Sequence, residues 1–171
     1  MVPFLEEFLR YRKLLEGAVR QVSDPDFFRK IGKSDNSIAV IVQHLSGNFR
    51  SRFTEFLTSD GEKPWRNRED EFSPPQQTRA RIMQQWQEAW QIWEETMAAL
   101  SSEDRYKQVT IRGVAFTVEE ALARSLAHFS YHVGQITYLA KHFAGERWEY
   151  LSIPPGRSKA YNRNPDRERG G

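Results

Sequence analysis

The chain has 171 residues, 39% of them hydrophobic and 28% charged, which fits one globular domain with a single sizeable core. Its 25 basic and 23 acidic residues leave a formal charge of only +2, so bulk charge makes no case for a nucleic-acid partner. With no cysteine, a disulfide framework and a protein thiolate metal site are both excluded, and any metal must be held by nitrogen and oxygen.

Along the chain, Phe4, Phe8, Tyr11, Leu15, Val19 and Val22 recur at steps of three and four, which predicts a helix over 3–22 with Pro3 in its first turn. No signal-type core stands at the N-terminus and no apolar run approaches the ~20 residues that cross a bilayer, so a soluble cytoplasmic protein without a membrane partner is expected. Residues 23–37 are rich in turn formers and read as a loop. A second helix is expected over 37–57, capped by Asn36 or Ser37, with Ile38, Ile41, Val42, Leu45, Phe49, Phe53 and Phe56 on one face. A charged loop follows and ends at Pro74-Pro75.

The third helix is expected over 76–100, where Ile82, Trp86, Trp90, Trp93 and Met97 share a helical spacing that suits core or dimer contacts better than a ligand cage. QVTI and VAFT flank Arg112-Gly113 in the pattern of a small β-hairpin. A fourth helix is expected over 117–144, opened by a Thr117/Glu120 capping box. Composition marks the last twenty or so residues as a polar tail. These elements make an all-α protein, a four-helix bundle with a possible small β-hairpin before the last long helix. The linker between the second and third helices holds about 18 residues. At ~3.3 Å per residue it can travel the ~30 Å length of a 20-residue helix, so those two helices can run parallel.

The fourth helix carries three of the four histidines. His128 and His132 are spaced i and i+4, as neighbours on a helix surface that can share one ion. The residue after His128 is Phe129 rather than Glu, so the HExxH protease pattern fails for want of its general base. An isolated HxxxH pair is more often structural than ligating, and a third ligand changes that balance. His44 lies on the flank of the second helix and converges with the pair if the two helices are adjacent. His142 projects away and reads as a surface residue. Three neutral imidazoles leave a coordination position open for water or substrate, and ligand type alone does not identify the metal. Asn48 and Gln135 are candidates for orienting the rings, each with an equal claim to be an ordinary surface side chain.

QHLSGN around His44, AHFSYHVGQI around His128 and His132, the stretch 44–72 and SIPPGRSKAYN near the end together resemble the DinB-like (DinB/YfiT) superfamily of metal-binding four-helix bundles, in a branch of unknown function. The resemblance implies an up-down-down-up helix order, a homodimer, and a divalent metal ion, most often nickel or zinc, held by His44, His128 and His132. It also implies that residues 152–162 are ordered against the bundle, giving one DinB-like domain over 1–162 and a loose polar tail over 163–171.

Two classes of function compete. In the first, the protein is a metal-dependent transferase joining a low-molecular-weight thiol to an electrophile, with metal-dependent hydrolysis as its variant; some relatives of the resembled superfamily are thiol S-transferases. Candidate pocket residues are then Asn48, Arg52, Trp65, Tyr131 and Gln135. Arg52 would pair with a substrate carboxylate or make a surface salt bridge, Tyr131 would donate a hydrogen bond although it points away from the apolar stripe, and Trp65 would roof a pocket or anchor its loop. In the second, the bundle is a non-catalytic metal- or ligand-binding stress-response module. A nucleic-acid role ranks third: Arg50, Arg52, Arg66 and Arg68 are offset by Glu55, Glu62, Glu69, Asp70 and Glu71, and no reading motif is present.

Overall fold

The computed structural model describes residues 2–165, and side chains from residue 4 onward. In chain order the elements are α1 (Val2–Arg20), a short α2 (Asp24–Phe28), α3 (Ile38–Phe53), a one-turn α4 (Arg68–Glu71), α5 (Arg79–Ala99), strands β1 (Gln108–Ile111) and β2 (Val114–Thr117), α6 (Val118–Ala144), and a one-turn α7 (Ser158–Tyr161). The structure is mostly helical, with one small hairpin, and none of its described helices is long and apolar enough to cross a membrane.

Local chemistry sets the element ends. Ser37 and Thr78 open α3 and α5 by accepting a backbone N–H with their side chains, and Thr117 with Glu120 forms the full capping box of α6. The loop expected over 23–37 contains α2 instead: Ser23 caps it, Pro25 fits its first turn, and Phe27 is fully buried. The helix expected over 37–57 stops at Phe53, because Thr54 is extended and Glu55 has φ 50°. Phe56 still joins the core from outside the helix. In the hairpin, Arg112 and Gly113 both have positive φ, 56° and 73°, as a tight two-residue turn between twisted strands requires.

After α3 the chain doubles back along it. Ser51 donates to the carbonyl of Gly61 at 2.7 Å and accepts from the N–H of Lys63, and Gln43 donates to the carbonyls of Asp70 and Glu71. Asp60 clamps the hairpin tip by accepting from the N–H groups of Arg112 and Gly113, both at 2.8 Å. The returning segment therefore covers the length of α3, and α5 starts near the same end. Phe49 of α3 packs on Trp86 and Trp90 of α5, and one turn further on Thr96 of α5 donates to the carbonyl of Phe53 at 2.9 Å, so α3 and α5 run side by side in the same direction. The opposite sense holds between α1 and α5: Arg79 at the start of α5 donates to the carbonyls of Val19 and Val22, while Arg12 reaches Glu94.

Aromatic side chains from all four long helices meet in the middle. Phe129 of α6 stacks on Phe8 of α1 at 5.9 Å between centroids and meets Phe49 of α3 edge-on at 5.0 Å. Trp86, Trp90 and Trp93 of α5 close the cluster and are essentially fully buried, so the spaced tryptophans are core. Each such ring removes ~150–250 Å² from water, making this cluster a principal source of stabilisation. Beyond α6, Leu151 packs against the core cluster beside Gly17, but all of 152–160 is exposed. Of the tail expected over 163–171, residues 166–171 lie outside the described residues.

Candidate metal centre

α3 and α6 pack against each other with His44, His128 and His132 on the facing sides. His44 and His132 are buried, at 3% and 5% exposure, and His128 is half-buried. One ring nitrogen from each lies within 4.8 Å of the other two. The Nε2 atoms of His44 and His128 are 3.2 Å apart. Two nitrogens bound at ~2.0–2.1 Å to one tetrahedral ion would stand about 3.3 Å apart, so this spacing suits a shared cation.

The rings are held by neighbours. Nδ1 of His44 donates to Oε2 of Glu71 at 2.8 Å, and the ring lies against Phe72. Arg66 grips the same carboxylate from the other side, Nε to Oε1 at 2.7 Å and Nη2 to Oε2 at 2.8 Å. Burial works against the charge of Glu71, but Arg66 and then His44 outweigh it and hold the carboxyl below its usual range. An ionised Glu71 accepts only, so Nδ1 of His44 carries a proton and Nε2 is the nitrogen turned toward His128. Gln135 does the same for His132, accepting from Nδ1 at 2.8 Å. His128 lacks such support: its Nδ1 is buried without a partner.

Gly47 makes the Glu71 contact sterically feasible. A Cβ at that position would collide with Oε1 of Glu71. The glycine of HLSGN thus opens the surface of α3 for the carboxylate that orients His44.

The donor set fits a divalent cation. Burial first, and then His132 and His44, push His128 down to about 3; burial leads in pushing His132 down to about 4. Both rings are therefore neutral near pH 7, the form that binds metal. Beside the triad opens a cavity of about 520 Å³, lined in part by His44, His128, Asn48 and Arg52.

A family model described as "Protein of unknown function (DUF1572)" matches residues 3–157. The chain belongs to this family. No curated protein and no solved structure matches it. The DUF1572 description carries no activity, so the chemistry of this member is argued from its own side chains.

Those side chains divide the expected residues. The histidine triad comes together, with Gln135 bonded to it. Asn48 lines the cavity, but the carboxylate on the His44 ring is Glu71, because the returning loop reaches Nδ1. Arg52 is no surface residue: it is 8% exposed, its Nη1 is buried without a hydrogen-bond partner, and Nη2 lies 3.6 Å from Glu62. Tyr131 is 58% exposed, its ring against His132 but outside the cavity lining. Trp65 is half exposed and stacks under Arg50 at 4.9 Å, which anchors its loop rather than roofing the triad cavity. His142 is exposed, as expected. Glu71, Arg66 and Gly47 escaped the sequence reading of the site. Glu71 sits in a run of acids that reads as charge balance, and its only available signal was the general need of a ligating histidine for an acceptor.

Proposed function

We propose that this DUF1572 protein is a metal-dependent enzyme of DinB-like architecture, a four-helix bundle in up-down-down-up order, that joins a low-molecular-weight thiol to an electrophile. The observation carrying this reading is the meeting of three histidines, two of them ring-oriented, with His44 and His128 at the wall of a cavity of metabolite size. The parallel run of α3 and α5, with α1 opposed to α5, supports the helix order. His44, His128 and His132 would hold a divalent ion, nickel or zinc by the resemblance noted above. Such an ion supplies the acidity that converts a bound thiol to its nucleophilic thiolate at neutral pH. The protein's own residues do the rest. Glu71 and Arg66 hold His44 in one tautomer, Gln135 holds His132, and the cavity walls position the electrophile. A chain without cysteine offers no competing thiol of its own.

The test is turnover. Protein stripped of metal and reloaded with Ni or Zn is assayed with small thiols and a chromogenic aryl halide, following loss of free thiol. Saturable turnover that needs metal and vanishes in His128→Ala supports the reading. Rates no faster than free metal with thiol, across several thiols and electrophiles, would reduce the protein to a metal-binding module.

A further inference from the structure

Five arginines line the cavity beside the triad: Arg52 from α3, Arg66 and Arg68 from the returning loop and α4, Arg112 from the hairpin turn and Arg124 from α6. No carboxylate lines it. Glu62 serves three of these cations at once, lying 3.6 Å from Arg52, 3.3 Å from Arg66 and 3.1 Å from Arg112. Glu71 is occupied by Arg66 and His44. Among the described residues the carboxylate nearest Arg68 is that of the exposed Glu69, at 3.6 Å, and its guanidinium lies over the Phe72 ring. Arg124 has no carboxylate within ion-pairing distance among the described residues; its guanidinium lies 5.9 Å from the Phe116 ring. The cavity thus gathers more positive charge than the protein neutralises.

That excess is costly where it is buried. Burial lowers Arg52 to about 10; Glu62 opposes the fall, and Arg66, Arg112 and Arg124 add to it by repulsion. The cations come from four separate stretches of chain, so the cluster is a product of the fold and not of one basic run. Guanidinium forks match the paired oxygens of carboxylates and phosphates, and a cavity with low-dielectric walls concentrates their field. Buried Ser125 and Asn48 add neutral hydrogen-bonding groups to the same lining.

We propose that this cavity is an anion-binding subsite, taking a small molecule by its carboxylate or phosphate oxygens on Arg52, Arg112 and Arg124 while the rest of the molecule lies against His44 and His128. This rests on the reading of the cavity as the substrate site and narrows it to an anionic substrate. The volume of about 520 Å³ suits a metabolite rather than a polymer.

The experiment is calorimetric titration of the metal-free full chain at low ionic strength with inorganic phosphate, with tricarballylate as a polycarboxylate, and with glycerol as a neutral control. Removing metal prevents anions from binding to the ion itself. Saturable binding of phosphate or tricarballylate, weakened by salt and absent for glycerol, is expected, and the tighter anion tells whether the substrate carries phosphate or carboxylate. The double variant Arg112→Gln/Arg124→Gln, at two exposed positions, should weaken binding about tenfold or more. Arg52→Lys keeps the buried charge but loses the fork, and should weaken binding as well. The inference is overturned if neither anion binds saturably, or if binding is unchanged in the folded double variant. Metal loading of the wild type is measured in parallel: a wild type that loads metal but binds neither anion removes this inference alone, and one that binds anion but cannot be loaded with metal removes the proposed metal chemistry alone.

Discussion

Phe129 and His128 are adjacent residues of α6, and they belong to two different materials. Phe129 sits in a close-packed aromatic cluster fed by four helices. His128 stands in a polar wall where arginines outnumber carboxylates and its own Nδ1 has no partner. The first region is held by area removed from water. The second is held by charge-assisted hydrogen bonds and leaves donor capacity unspent, which is what a binding site needs and a core does not. Substitutions should separate the two.

The largest stability effect is expected in the aromatic region. Phe129→Ala should lower unfolding free energy by about 3–5 kcal/mol, read as a shift in denaturant midpoint. His128→Ala, one residue away, should cost metal-free protein far less and abolish metal loading. Comparable losses of stability in both would break the contrast.

Next comes Glu71→Ala. It leaves the buried Arg66 with only its share of Glu62 and His44 without its acceptor, so stability should fall by about 3 kcal/mol. Metal affinity should fall ~10–100-fold, measured by competition with a chelator. An unchanged affinity would show that His44 needs no orientation.

Gly47→Ala should reproduce a weaker form of that loss. The new methyl displaces the Glu71 carboxylate, costing about 1–3 kcal/mol with reduced metal affinity. Wild-type behaviour in chemical denaturation and chelator competition would refute the close approach.

Asp60→Asn tests the loop that carries Glu71. Against a burial cost, N–H bonds from Gly113, Glu62 and Arg112 hold the Asp60 carboxyl well below its usual range. Its contribution is therefore fully present above the unfolded value of ~3.9 and is lost as pH falls below it. The variant should melt a few degrees lower at pH 7, by about 4 °C, with the deficit shrinking in acid. Last, Trp65→Ala should change stability by less than about 1 kcal/mol and leave metal loading intact, since the ring only stacks under Arg50.

The same contrast decides what could be read from sequence. Phe8, Phe49, Trp86 and Phe129 announce themselves by helical periodicity, because burial repeats with the helix. The hairpin was legible in Arg112-Gly113, and the cap of α6 in Thr117 and Glu120. The triad was half legible: i and i+4 spacing marks His128 and His132, while His44 joined them only through the resemblance and an assumed adjacency of helices. Glu71, Arg66 and the arginine cavity were not legible. They depend on a loop that folds back along α3, and no spacing rule connects residue 71 to residue 44. The short α2 and the early end of α3 were missed for a related reason: a single turn and a positive φ at Glu55 leave no periodic trace.

The central claim is that His44, His128 and His132 jointly hold a metal. Mass-spectrometric metal content of untagged protein, wild type beside His44→Ala and His128→Ala, tests it most directly. The account predicts near-stoichiometric Ni or Zn in the wild type and its loss in both folded variants. Folded wild type that cannot be loaded, or variants that load as well as wild type, would contradict it.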